Sequence, residues 1–433
     1  MADAAHESSP VAQARAFAKS GRTNEAATVV ARLLAEEFGL IATNFAINSD
    51  IYSLNSLNGT FEAGGQPLFF KFHQEENEGA MAGEYYRARL LADAGLPVDL
   101  PLHASATPGR QILVYRRRTE ARFADVLRGL DLASDASGFA EALAAERVLN
   151  ARTMEVYRRT LHPITPEQAA AEPINRLFHE RLNSPGRPRE LGGRFASFYL
   201  DKHFQLPGAV IDWAQLKDLP FVVNGIRYDR TLSRLFGEAF SRLAPSQLAS
   251  SGGVTAHGDA HNANVWFTGQ AGQRELVLFD PAFAGTHVPA LLAEIKTTFH
   301  NGFAHPLWLY EPAEAGKRYK ATALVKAGAL AVETDWRPSD VRVALLQLKF
   351  EQIWKPMIAL LKERGQLPAD WRRVVKLALF LCPALVMNLR AEAEGGSHTP
   401  VSSAIGLATA VAMGAEPDRA DLLCGLLDSV TPG

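Results

Sequence analysis

The sequence predicts an α+β chain in two lobes, a small β-rich N-terminal lobe with one helix inside it and a larger, mostly helical C-terminal lobe. Two observations predict this. Between residues 40 and 116, short apolar runs alternate with Gly, Pro and Asn turns, the pattern of strands and hairpins. From Phe123 onward, Ala/Leu/Arg-rich stretches carry apolar residues at helical spacing instead. A chain of 433 residues has room for two or three domain-sized units. With 47% hydrophobic and 21% charged residues, it has the composition of a globular protein that can bury a core. The expected division is a flexible tail at 1–22, an N-terminal lobe at 23–118 and a C-terminal lobe at 119–433, with a linker near 116–122.

The elements are justified in chain order. Asn24 can cap a helix through Ala27, Val30, Leu33, Leu34 and Phe38, which Gly39 stops. Ile51–Leu54 reads as a strand that leads into a small polar loop, Asn55–Gly59. Thr60–Glu62 and Leu68–Phe72 flank the turn Gly64-Gly65, a hairpin signal. A helix is expected from Gly79 to Asp93, ended by Gly95 and Pro97. Val98–Ala104 and Gln111–Tyr115 form a further strand pair. In the second half, helical patterns cover 138–161, 188–204, 230–249, 340–364 and 371–391. Strands are expected only at Val265–Phe267 and Leu276–Phe279.

Several function classes drop out. The net charge of −2 recruits neither nucleic acid nor an anionic membrane surface. Cys382 and Cys424 are far apart in apolar segments, which excludes a disulfide framework and a CxxC metal site and suits a reducing compartment. No stretch reaches the ~18 apolar residues of a membrane span, and Met1–Arg22 lacks a signal peptide's apolar core. The expectation is a cytoplasmic protein, monomeric or homodimeric.

The chemistry concentrates in His257-Gly258-Asp259-Ala260-His261-Asn262-Ala263-Asn264, followed by the apolar run Leu276-Val277-Leu278-Phe279 ending in Asp280. Phosphoryl transfer needs one carboxylate to orient an attacking hydroxyl, and oxygen ligands to hold Mg²⁺ on nucleotide phosphates. Asp259 is the candidate catalytic residue, and Asn264 and Asp280 are the candidate metal ligands. His257 is assigned a scaffolding role, since a loose transition state asks for little proton chemistry. In the first lobe, Lys71 sits between Phe70 and Phe72. It is either an edge-strand lysine with its head in water or a buried cation facing phosphate, with Glu84 as its partner and Glu76 and Glu78 competing for that place.

These residues resemble the aminoglycoside phosphotransferase family, the small-molecule branch of the protein-kinase-like fold, whose HGDxHxxN loop precedes a strand ending in a metal-binding Asp. Lys71 on a third strand, Glu84 on the next helix and Ile112–Tyr115 before the linker extend the likeness to residues 40–120 and 250–290. The resemblance implies a two-lobed kinase-like fold. It implies ATP or GTP bound near Tyr115 and Arg117, Mg²⁺ on Asn264 and Asp280, and transfer of the γ-phosphoryl group to a small-molecule hydroxyl. No GxGxxG covers the phosphates, and Ser56, Asn58 and Gly59 are the candidate replacements. Where many members have a further Asp about seven residues after the metal ligand, this chain has His287-Val288-Pro289, with Glu294 and Lys296 beyond. Two other readings stand beside this one. One is a metal-dependent hydrolase using His257, Asp259 and His261, and the other a non-catalytic nucleotide-binding pseudokinase.

Overall fold

The computed structural model describes residues 9–48, 56–73, 87–304, 306–391 and 398–431. The chain divides into two compact units. Unit 1 comprises Met1–Asp93 with Val98–Glu120, and unit 2 comprises Ala94–Pro97 with Ala121–Gly433.

Unit 1 is built on a five-stranded antiparallel sheet of β1 (Thr43–Ile47), β2 (Ser56–Ala63), β3 (Gln66–His73), β4 (His103–Ser105) and β5 (Ile112–Arg116), in the order β1-β2-β3-β5-β4. Gly64 and Gly65 both have positive φ, as a two-residue hairpin turn requires, and set the register Ala63↔Gln66 through Asn58↔Lys71. Leu57, Phe61, Leu68, Phe70, Ile112 and Val114 are buried with Val29, Val30, Leu33 and Leu34 of α2 (Thr23–Phe38) in one core. Each such side chain contributes roughly 1.5–3 kcal/mol of burial. Gly39, in the left-handed conformation, closes α2 as expected.

Three expectations for this unit are corrected. The segment read as a tail is helical from Pro10 to Lys19 (α1). Ser9 caps it, Pro10 occupies its first turn, and Val11 and Ala14 are buried in the α2 core. Among its described residues the unit therefore holds α1, α2 and a helix at 87–93 (α3), not one helix. The polar loop expected at Asn55–Gly59 is strand from Ser56 onward. There the ladder consumes the backbone, with Asn58 opposite Lys71 and Gly59 opposite both Ile47 and Phe70. A Cβ on Gly59 would lie 2.2 Å from the Ala46 carbonyl, so this glycine serves close strand packing. The strand expected at Ile51–Leu54 falls outside the described residues.

Unit 2 is largely helical. α4 (Phe123–Leu132) and α5 (Ala136–Thr160) precede a core whose centre includes Trp371–Val386 and Pro400–Gly414, helices with almost no exposed position. It holds more strands than expected. The pattern at 188–204 breaks into strand Arg187–Leu191, helix Gly193–Tyr199 and strand His203–Leu206. Gly193, with φ +57°, packs so closely that a Cβ would meet the Asn183 carbonyl at 2.6 Å. Ala321–Lys326 and Ala329–Thr334 pair across Ala327-Gly328 within a four-stranded sheet. Gly253–Ala256 pairs with Gly285–Pro289, and Val265–Thr268 pairs with Glu275–Leu278 and with β6 (Ala121–Arg122). These last two small sheets hold the octapeptide between them. No described helix is long and apolar enough to cross a membrane.

Candidate active site

In unit 2 the octapeptide begins where the buried strand Gly253–Ala256 ends. Gly258 has φ +77°, and a Cβ there would lie 2.6 Å from the Phe283 carbonyl, so the turn needs glycine on two counts. His257 is buried and both of its ring nitrogens meet backbone. Nε2 bonds the Phe279 carbonyl at 2.9 Å, and Nδ1 accepts the Asp259 N–H at 3.3 Å. That pairing requires the neutral Nε2–H tautomer, and burial pushes the imidazole pKa below its ordinary value. His257 is therefore a strut between the loop and the strand that ends at Asp280.

Phe279 is held from both sides, because its N–H donates to the Asn264 carbonyl at 3.0 Å. This puts the Asn264 backbone one residue from Asp280, which has φ +56° and precedes Pro281. A non-glycine residue in the left-handed region stores about 1–3 kcal/mol of strain, which functional sites commonly tolerate. The Asn264 side chain donates Nδ2–H to the Asp259 carbonyl at 2.9 Å, so its Oδ1 is the oxygen left for a cation. An amide oxygen and a carboxylate form a hard-oxygen pair that suits Mg²⁺.

Asp259 itself is buried, and its Oδ1 has no hydrogen-bond partner among the described residues. Lys296 Nζ stands 3.7 Å from Oδ1 and His261 Nε2 stands 3.8 Å from Oδ2. Burial lowers the His261 pKa to about 4, so this ring is neutral near pH 7 and accepts the Ala263 N–H through Nδ1 at 3.3 Å. Lys296 is buried too, and desolvation pulls its pKa down while Asp259 opposes that pull. Its ammonium donates to His300 Nε2 at 2.8 Å, which leaves the His300 Nδ1–H for Tyr310 Oη, also at 2.8 Å. Burial and then Lys296 keep His300 well below its ordinary pKa.

The loop has a second buttress. Asn262 N–H donates to Asn301 Oδ1 at 2.8 Å, and the Asn301 carbonyl accepts Arg342 Nη1 at 3.0 Å. Arg342 in turn pairs with Asp131 at 2.7 Å, with both side chains fully buried. Beneath the loop, Lys349 bridges Glu146 and Glu294, each at 3.1 Å, and Asn150 at 2.6 Å, while Tyr157 donates to Glu294. Burial opposes the Lys349 charge, but Glu294 and Glu146 outweigh it and its pKa is raised. A cavity of about 20 Å³ lined by Tyr157, His257, Ala260 and Lys349, among others, lies there and is far too small for a metabolite. The Lys349 and Arg342 contacts, and that of Lys296 with Asp259, left no local spacing signal, because those partners come from distant segments.

In unit 1, Asn58, Lys71 and Tyr115 share the sheet face opposite α2. Asn58 opposes Lys71, and Tyr115 opposes Phe69 with ring centroids 6.4 Å apart. β3 lies between β2 and β5, so Lys71 is not an edge-strand lysine. Asn58 Oδ1 accepts Asn48 Nδ2 at 2.8 Å. Arg117 ties its N–H to the Pro67 carbonyl at 3.0 Å and exposes its side chain. Ser56 opens β2, and Gly59 is packed inside the sheet. Glu84, Glu76 and Glu78 fall outside the described residues.

The hydrolase reading fails on this geometry. His257 has no ring nitrogen left for a metal, and no group of three or more His, Cys, Asp or Glu side chains among the described residues could hold one.

No protein-family profile and no curated protein matches the chain. Among solved structures it is similar to spectinomycin phosphotransferase APH(9)-Ia in complex with ADP and spectinomycin, at 12% identity and a TM-score of 0.37, over 89% of this chain and 98% of that one. It is similar to a thermostable mutant of aminoglycoside phosphotransferase APH(4)-Ia in a ternary complex with AMP-PNP and hygromycin B, at 13% identity and a TM-score of 0.42, over 89% and 98%. The GDP and kanamycin complex of an APH(2") enzyme is similar at 12% identity and a TM-score of 0.37, over 81% and 96%. Scores this low leave any statement about activity to the residues of the site.

Proposed function

We propose that this chain is a two-lobed, kinase-like phosphotransferase that moves the terminal phosphoryl group of ATP or GTP to the hydroxyl of a small molecule. The observation that carries the reading is the Asp259 carboxylate. It is buried, and its Oδ1 has no hydrogen bond among the described residues although the Lys296 ammonium stands 3.7 Å away, in a loop clamped by His257, Asn264 and Asn301. A buried carboxylate oxygen costs about 1–3 kcal/mol when left without a hydrogen bond, so a site that maintains one holds it for a donor that arrives.

In this reading, Asp259 Oδ1 accepts the acceptor's O–H and turns the oxygen toward the γ-phosphorus. The new P–O bond forms as the bond to the β-phosphate oxygen breaks, the nucleoside diphosphate leaves, and the hydroxyl proton passes late to Asp259. Lys296 holds the carboxylate's charge in place. Asn264 Oδ1 and the Asp280 carboxylate would hold Mg²⁺, which supplies charge neutralisation on the phosphates. Lys71 and the sheet face with Asn58 and Tyr115 form the nucleotide side, with Glu84 the partner expected for Lys71 from the sequence and Arg117 beside the base.

The test is ATP or GTP consumption by the purified protein against a panel of sugars, amino sugars, amino alcohols, hydroxy acids and sugar phosphates. Phosphorylated product with one acceptor class is expected, with turnover falling about 10²–10⁴-fold in Asp259→Asn. Turnover unchanged in Asp259→Asn removes the base assignment. Nucleotide binding with no transfer to any acceptor leaves the pseudokinase reading in its place.

A further inference from the structure

Besides Lys296, a second cation acts on Asp259 that the transfer step does not use. Arg181 lies in the short 3-10 helix His179–Leu182, and both Nε and Nη1 are buried without a hydrogen-bond partner among the described residues. A guanidinium carries five N–H donors and keeps its proton in proteins, so leaving it dry and unpaired is costly. Burial brings its pKa down to about 10, Arg194 adds to that, and Asp259 opposes it. The residue as a whole keeps partial exposure, although these two nitrogens are buried.

The charges around it are lopsided. Asp259 is the carboxylate that acts on both Arg181 and Lys296, and the two cations act on each other. His261 and His300 are neutral near pH 7 and add no charge. Arg194 spends Nη1 on the Leu385 and Val386 carbonyls, at 3.1 and 3.2 Å. Glu294, the acidic residue nearest in sequence to Lys296, is turned to Lys349 and Tyr157 instead. Among the described residues, two buried cations therefore share one carboxylate. A polyamine acceptor would meet repulsion there, and a neutral one would leave the Arg181 fork unmatched.

We propose that the acceptor site takes a small hydroxylated anion, a hydroxyl compound carrying a carboxylate or phosphate group, with Arg181 and Lys296 holding the anionic group while the hydroxyl reaches Asp259. The planar fork of Arg181 matches two oxygens of either group. The inference rests on the phosphotransferase reading for the word acceptor, but the anion site is testable without turnover.

The experiment is calorimetric titration of the full chain, free of nucleotide, with glycolate, glycerol 3-phosphate, glycerol and kanamycin. Binding of glycolate or glycerol 3-phosphate is expected, and which of the two binds separates carboxylate from phosphate. Arg181→Gln should weaken that binding about 10–100-fold, the equivalent of one charge-assisted hydrogen bond, and Arg181→Lys should weaken it less. Circular dichroism checks that both variants fold, and Arg181→Lys carries the test if Arg181→Gln does not. Equal binding by Arg181→Gln, tighter binding of glycerol or kanamycin, or no anion binding up to about 10 mM overturns the proposal. Transfer of phosphate to a neutral acceptor without anion binding sinks this inference and leaves the phosphotransferase standing. Anion binding without transfer to any anionic acceptor removes the acceptor role.

Discussion

Asn264 donates its side-chain amide to the backbone carbonyl of Asp259 at 2.9 Å, five residues back along the chain. One side chain therefore braces the candidate base with its nitrogen and leaves its oxygen for the candidate metal. Asn264→Ala should remove both at once, lowering turnover about 10²-fold and raising the half-saturating Mg²⁺ about 10-fold. Asn264→Asp keeps an oxygen ligand but loses the donor, so turnover should fall while the Mg²⁺ requirement stays near that of the wild type. Turnover measured across a Mg²⁺ series separates the two effects, and a Mg²⁺ requirement unchanged in Asn264→Ala removes the ligand assignment.

His257→Ala strands the Phe279 carbonyl and the Asp259 N–H, both inside the fold. The expected loss is about 2–5 kcal/mol of unfolding free energy by urea titration. The pH dependence of the remaining turnover should keep its shape, since a strut transfers no proton. A lost ionisation in that profile would make His257 a participant in the chemistry.

Gly258→Ala asks an alanine to hold φ +77° and to place its Cβ 2.6 Å from the Phe283 carbonyl. The conformation alone costs roughly 1–2 kcal/mol, and the contact forces the loop to shift. A folded protein with turnover reduced at least about 100-fold is expected, read by circular dichroism and the transfer assay together. Full activity in this variant would show that the loop tolerates displacement.

Acid should destabilise the chain in a defined window. Burial lowers the pKa values of His257, His261, His300 and His398, with His261 and His398 at about 4. The unfolded chain takes up these protons near pH 6.5, before the folded one does, so stability is full above that pH and falls as the pH drops toward 4. Each of His261 and His398 contributes on the order of 3 kcal/mol to the fall. Urea midpoints between pH 7.5 and 4 measure it, and a flat profile would contradict the neutral buried state of these rings.

The octapeptide was legible in the sequence because its chemistry lies in local spacing. The β2–β3 hairpin was legible because Gly64-Gly65 suits a turn with two positive φ angles. The hairpin at Ala321–Thr334 was not, since its turn is Ala327-Gly328 and an alanine with φ +51° carries no turn signal. α1 was missed although Ser9-Pro10 is a sound helix start, because its apolar face, Val11, Ala14, Phe17 and Ala18, is half alanine and gives a weak periodicity. Arg181 stayed invisible, and Lys296 was named only by its place beyond His287, for a different reason. Their meaning lies in which charges they meet, and those come from segments far apart in the chain.

The helix Ile295–Thr298 continues directly into the π turn Phe299–Phe303, which carries His300 and Asn301. A π turn holds one residue more than the α-helix around it. Deleting Phe299 would move His300 and Asn301 one position back along the helix, a rotation of about 100° relative to Lys296, taking Asn301 away from Asn262 and His300 away from Lys296. The loop that carries Asp259 is thus registered against a counted stretch of helix. At this place the chain can exchange many side chains but cannot change its length, and a single-codon deletion far from Asp259 in sequence would reach it.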